Sequence, residues 1–106
     1  MKTILGFMLL VLAGPALAQA PAGNAEAAKS KISMCVGCHG IPEYKTAYPH
    51  VYHVPKITGQ QPVYIVNALQ AYKSGSRSHP SMRGIAQSLS EQDMADLAAY
   101  YSSEHQ

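Results

Sequence analysis

Two cysteines and a histidine stand together at Cys35-Val36-Gly37-Cys38-His39, and their spacing limits what they can do. The pattern is C-x-x-C-H, the attachment signature of a c-type haem. Thiols three positions apart can each form a thioether to one of a porphyrin's two vinyl groups. The next residue, His39, then offers an imidazole nitrogen to the iron. Other uses of a cysteine pair fit less well. Structural zinc takes four ligands, and the chain's only cysteines are these 2, with no second pair. A thioredoxin-like redox pair belongs in a βαβ pattern, which is absent here. A structural disulfide suits an exported chain and is the remaining alternative; the adjoining His39 weighs toward haem.

An iron held by His39 on one side takes its sixth ligand from far along the chain, so that the fold closes over it. The candidates are Met82, His79, His50, His53, Met34 and Met94. Met94 falls on the apolar face of a helix and reads as core. Met34 adjoins Cys35 on the attachment side. Met82 follows the polar stretch Ser74–Pro80, with His79 as the runner-up. A thioether ligand would raise the reduction potential relative to a second imidazole, because soft sulfur favours Fe(II). With both axial positions filled there is no open site for a substrate, which argues for electron transfer.

These residues need a scaffold, and the scaffold reads as helical. Asn24 is a plausible N-cap for a helix over Ala25–Met34 that runs straight into Cys35, with Ala28 and Ile32 on one face. Pro62 suits a first helical turn; Ile65, Leu69 and Tyr72 follow at spacings of four and three, and Gly75 ends that helix. One or two turns are expected over Ile85–Leu89. Ser90 with Asp93 resembles a capping box opening a last helix to about Tyr101, whose Met94, Leu97, Ala98 and Tyr101 recur on one face. Residues 40–59 carry Pro42, Pro49 and Pro55 with no sustained period. They read as an ordered loop that packs on the haem, and no strand signal appears.

The chain has 106 residues, 13% of them charged, and a formal net charge of +2, room for one domain. Residues 1–20 read as a secretory signal peptide: Lys2, an apolar run over Ile4–Ala13, then small-residue cleavage sites after Ala18 or Ala20. The run is short for a membrane span, which takes about 20 residues, and an uncleaved anchor is the alternative. Losing Lys2 lowers the +2 charge by one, so there is no bulk basic charge for nucleic acid. Export places the chain in the periplasm, and covalent haem attachment of this kind occurs outside the bacterial cytoplasm. The remaining single domain, 21–106, has roughly 90 residues, a size that buries little surface alone. It contains neither Phe nor Trp; its aromatics are the 7 tyrosines. A haem would supply the missing apolar core, acting as the staple that small domains need.

With these residues assembled, the chain resembles a class I c-type cytochrome of the small soluble bacterial kind over about Ala25–Ser102. The resemblance rests on Cys35–His39, then Pro55-Lys56-Ile57 with Gly59-Gln60, Tyr64-Ile65, Leu69, Tyr72-Lys73, Gly75 and Arg77. Met82, Leu89-Ser90, Asp93, Leu97-Ala98 and Tyr100 complete it. It departs at Ile41–Val54, where Tyr44, Tyr48, His50, Tyr52 and His53 replace a Gly-rich loop.

The resemblance implies an all-α cytochrome c fold of three to five short helices around one covalently attached haem c. It places Met82 at the sixth-ligand position and the backbone carbonyl of Pro55 as acceptor for the second nitrogen of His39. A stiff turn is the alternative role for Pro55. Ile57 and Tyr64 are implied haem contacts. Arg77, Tyr48 or Tyr52 could bond the propionates, and Lys45, Lys56, Lys73, Arg77 and Arg83 could form a basic rim steering acidic partners. The implied function is not enzymatic: a monohaem carrier shuttling electrons, in transient encounters, between a membrane respiratory complex or periplasmic dehydrogenase and a terminal oxidase or reductase. The rivals are a haem enzyme or gas sensor with a labile sixth position, and a haem subunit held in a dehydrogenase complex.

Overall fold

The computed structural model describes residues 14, 21–47 and 51–103; the signal peptide expected over 1–20, and with it Tyr48, His50 and Glu104, lie outside these residues apart from Gly14. Five helices and one minimal strand pair follow in order: α1 (Ala25–Ala28), α2 (Ser33–His39), β1 (Lys45–Thr46), β2 (Tyr52–His53), α3 (Pro62–Ser74), α4 (Pro80–Gln87) and α5 (Glu91–Ser102). The expected architecture of three to five short helices is present. Ala28, Ile65, Leu69, Leu89, Met94, Leu97, Ala98 and Tyr101 form one core, with α5 packed against both α1 and α3. Among the described residues no helix is long and apolar enough to cross a membrane.

The helix termini follow from local chemistry. Asn24 Oδ1 accepts from the N–H groups of Glu26 and Ala27. Pro62 opens α3, and Gly75 closes it at φ 87°, a left-handed conformation that costs glycine little. Ser90 and Asp93 form a full capping box: Ser90 Oγ accepts from the Asp93 N–H at 3.0 Å, and Asp93 Oδ2 accepts from the Ser90 N–H at 2.9 Å.

Three expectations need correction. The helix expected over Ala25–Met34 is two pieces. Ser30 Oγ donates back to the Ala27 carbonyl, the Lys31 N–H turns onto Ala28 O, and a new helix begins at Ser33. The haem motif therefore lies inside α2 rather than after the first helix. Second, α4 starts at Pro80, five residues earlier than expected, because His79 and Pro80 together make a helix start; Met82 is helical rather than on a loop. Third, the 40–59 stretch contains an antiparallel pair in register Lys45↔His53 and Thr46↔Tyr52. Two residues a side fall short of the four to eight that give a readable strand pattern.

The chain ends of the domain are clasped together. Asp96, 2% exposed, accepts from the Asn24 N–H at 2.9 Å, from Gln92 Nε2 at 2.9 Å and from Lys31 Nζ at 2.7 Å. Lys31 also meets Asp93 at 2.7 Å. A buried carboxylate is tolerable only when paired and bonded in this way. Lys31 and the capping hydrogen bonds hold Asp93 down at about 2, and Lys31, Gln92 and Asn24 hold Asp96 below its usual range.

Because both folded-state values are depressed, their contribution is present above the ordinary Asp value of 3.8 and is lost as pH falls toward 2. Thermal unfolding midpoints should therefore fall steeply across that acid window. An Asp96→Asn variant should start lower at neutral pH and show a shallower acid slope; an unchanged slope would refute the clasp's contribution.

Next to the clasp, Gly23 lies flat on α5. A Cβ there would fall 2.1 Å from the Ala95 carbonyl oxygen and 2.9 Å from Ala99 Cβ, and backbone cannot yield as a side chain can. Gly23→Ala should cost about 2 kcal/mol or more as overpacking, measured as a lower denaturant midpoint.

Candidate haem site

Helices α2 to α5 and the segment before α3 enclose an apolar cleft that is partly open to solvent. Met34, Cys35 and His39 enter it from α2, Ile57 from the segment before α3, and Met82 and Ile85 from α4. Ile65, Leu69, Leu89, Leu97 and Tyr101, all buried, form its floor. Residues far apart in sequence thus meet on one apolar surface, as a flat apolar ring system requires.

The His39 Nδ1–H donates to the Pro55 carbonyl at 2.7 Å. That bond fixes the ring and leaves Nε2 with its lone pair, the arrangement expected of an iron-ligating imidazole. Cys35 is half-buried, and burial pushes its thiol up. A redox-active pair depends on a lowered thiol value, so the displacement runs against a thioredoxin-like role. Cys38 is half-buried on the same helix, and the two thiols are not joined. Among the described residues no three His, Cys, Asp or Glu side chains form a group that could hold a metal ion.

The other candidates separate cleanly. Met94 is 1% exposed in the core. His53 is exposed on β2. His79 does not line the cleft; its Nδ1 accepts from the Met82 N–H at 3.4 Å. Met34 lines the cleft but sits on the helix that carries the cysteines. Among the candidates within the described residues, Met82 alone combines a place in the cleft with a different helix. Ile57 is also in the cleft, as expected. Tyr64 is not: it is 52% exposed, one step and so about 100° around the helix from the inward-facing Ile65.

Sequence reasoning missed Ile85 and the placement of Tyr101. Ile85 follows Met82 by three, a helical spacing that becomes visible once α4 is started at Pro80. The Tyr101 hydroxyl is buried against the Cys35 thiol, and burial with that neighbour pushes its ionisation up. The apolar lining, with a donor set of two thiols on α2, an imidazole and a thioether, fits a covalently tethered haem.

The surface charge is uneven. Lys45, Lys56, Arg77 and Arg83 are exposed, Arg77 lying 4.7 Å over the Tyr72 ring. Lys73 is engaged with the Leu89 carbonyl. Asp93 and Asp96 are drawn into the Lys31 clasp.

The family model for cytochrome c matches residues 22–103. Cytochrome c-554(548) of Halomonas halodenitrificans is 42% identical over 86 residues, covering 78% of this chain and 99% of that protein. Cytochrome c4 of Pseudomonas aeruginosa is 36% identical over 104 residues, covering 98% of this chain but 49% of that protein. The crystal structure of reduced recombinant cytochrome c4 from Pseudomonas stutzeri superposes with a TM-score of 0.61 at 34% identity, over 77% of this chain and 46% of that one. The chain thus spans nearly all of the first relative and about half the length of the cytochromes c4.

Proposed function

The chain belongs to the cytochrome c family, and from that premise we propose that it is an exported single-electron carrier with one haem c, held by Cys35 and Cys38 and ligated by His39 and Met82. The observation that carries the proposal is the convergence of Cys35, His39 and Met82 on one apolar cleft, with His39 oriented by Pro55.

Haem c, which the family implies, supplies an iron that exchanges one electron between Fe(II) and Fe(III). The chain's residues do the rest. The thiols of Cys35 and Cys38 form the tethers, and one C-x-x-C-H motif supports one haem per chain. Pro55 holds the His39 ring in one tautomer, so the ligand does not turn when the charge changes. The Met82 sulfur favours the reduced form. Ile57, Ile65, Leu69, Ile85 and Leu97 keep water away, which limits solvent reorganisation. Filling both axial positions leaves no place for a substrate, so the protein is a carrier and not an enzyme. The apolar run and small-residue sites before residue 21 support export to the periplasm. Its partners would be a membrane respiratory complex or periplasmic dehydrogenase on one side and a terminal oxidase or reductase on the other, met transiently through the exposed basic residues.

The ferric holoprotein should show the weak red-edge band of thioether-to-iron charge transfer, and the reduced form should not bind carbon monoxide. Absence of the band together with ready carbon monoxide binding would replace the carrier with a haem enzyme or gas sensor.

A further inference from the structure

We propose that His79 is a positioning residue for Met82: it caps the helix that carries the thioether, and two tyrosines from other elements hold its ring. The proposal rests on the His39/Met82 ligation argued above.

Helix α4 has eight residues, too few to be stable in isolation, so what holds its ends decides where Met82 sits. Its first N–H groups have no partner within the helix. Ser, Thr, Asp or Asn usually supplies one. Here His79 stands in their place, with extended backbone at φ −155° and ψ 110°, and its Nδ1 accepts from the N–H of Met82 itself at 3.4 Å. Pro80 at the first helical position has no N–H to satisfy. The His79 carbonyl then takes the Arg83 N–H at 2.8 Å.

A cap orients a helix only if the cap is fixed. The His79 ring lies 4.5 Å from that of Tyr52, tilted at 49°, and 6.4 Å from that of Tyr72, edge-on at 80°. Tyr52 belongs to β2 and Tyr72 to α3, so one imidazole joins the strand pair, α3 and α4. The other end of α4 is tied to α3 by Lys73 on the Leu89 carbonyl. Met is an unbranched side chain with three rotatable bonds, so its sulfur is only as well placed as its backbone. Accepting at Nδ1 puts the ring hydrogen on Nε2 and commits His79 to the helix rather than to the iron.

The test titrates ferric holoprotein with imidazole, which displaces the thioether, following the charge-transfer band in wild type, His79→Ala, His79→Asn and Met82→Ala. Loss of the cap should favour the displaced form, so His79→Ala should bind imidazole about fivefold more tightly, with a lowered potential. Asn caps without the ring, so His79→Asn should return the affinity to within about twofold of wild type. If His79→Ala does not mature, His79→Val, equally unable to accept the bond, takes its place. Wild-type affinity in the Ala or Val variant, or equal tightening of imidazole binding in Ala and Asn, would overturn the positioning role while Met82→Ala still abolished the band. A band that survived Met82→Ala, or a sixth ligand lost in His79→Ala and kept in Met82→Ala, would overturn the ligation and the positioning together.

Discussion

Met82→Ala should keep its haem covalently bound and lose its sixth ligand. The tethers at Cys35 and Cys38 are on α2 and untouched, whereas the substitution removes the sulfur that α4 brings into the cleft. The charge-transfer band should vanish, the ferric iron should take up water, and the reduced protein should bind carbon monoxide. The potential should fall, because the preference of sulfur for Fe(II) is gone. Opening a distal position in an otherwise apolar cleft should also admit peroxide. Met94→Leu is the control: it is a nearly volume-conserving change in the core, expected to cost about 1 kcal/mol and to leave the spectrum unchanged. Retention of the band in Met82→Ala would mean that another side chain closes the iron.

Cys35→Ala/Cys38→Ala should release the haem to acid-acetone extraction and destabilise the chain with it. Thioethers make cofactor binding intramolecular, at an effective concentration that free haem does not reach. Without them, occupancy depends on free haem, and so does the stability that binding confers. The dependence should be severe here. Ordering the backbone costs roughly 1–2 kcal/mol per residue, while the largest fully buried side chains are only Met94 and Leu97. Circular dichroism of the double variant should show helix content that rises with added haem. Haem that stays bound through extraction would place the attachment elsewhere.

The helical architecture was legible because it rests on short-range rules. The Asn24 cap, Pro62 at the start of α3, Gly75 at its end, the Ser90–Asp93 box and the Met94–Tyr101 face each need only a few neighbouring residues, and each is realised. The candidate site was legible at Cys35, Cys38 and His39, whose spacing carries chemistry, and Pro55 was placed by resemblance. What escaped depends on distant partners. Lys31 seeks Asp93 and Asp96 across the fold, and the break between α1 and α2 comes just where it does so. His79 reads as a runner-up iron ligand until Tyr52, Tyr72 and the start of α4 surround it. Tyr64 is a haem contact only by resemblance; one step around the helix separates it from the buried Ile65, and it is exposed outside the cleft lining.

The clasp between Asn24, Lys31 and Asp96 also bears on the order of events as the chain is made. It joins residues 72 and 65 positions apart, and closing so long a loop is costly until the contacts at its end are available. An emerging N-terminus therefore delivers the Cys35–His39 segment well before α5 arrives to cover it. During that interval Tyr101, Leu89 and Leu97, which later floor the cleft, are not yet in place, and both thiols are accessible to whatever attaches the haem. Arrival of α5 then closes the clasp. The contact that closes the domain thus forms only after α5 has emerged, and the Cys35–His39 segment stays uncovered until then.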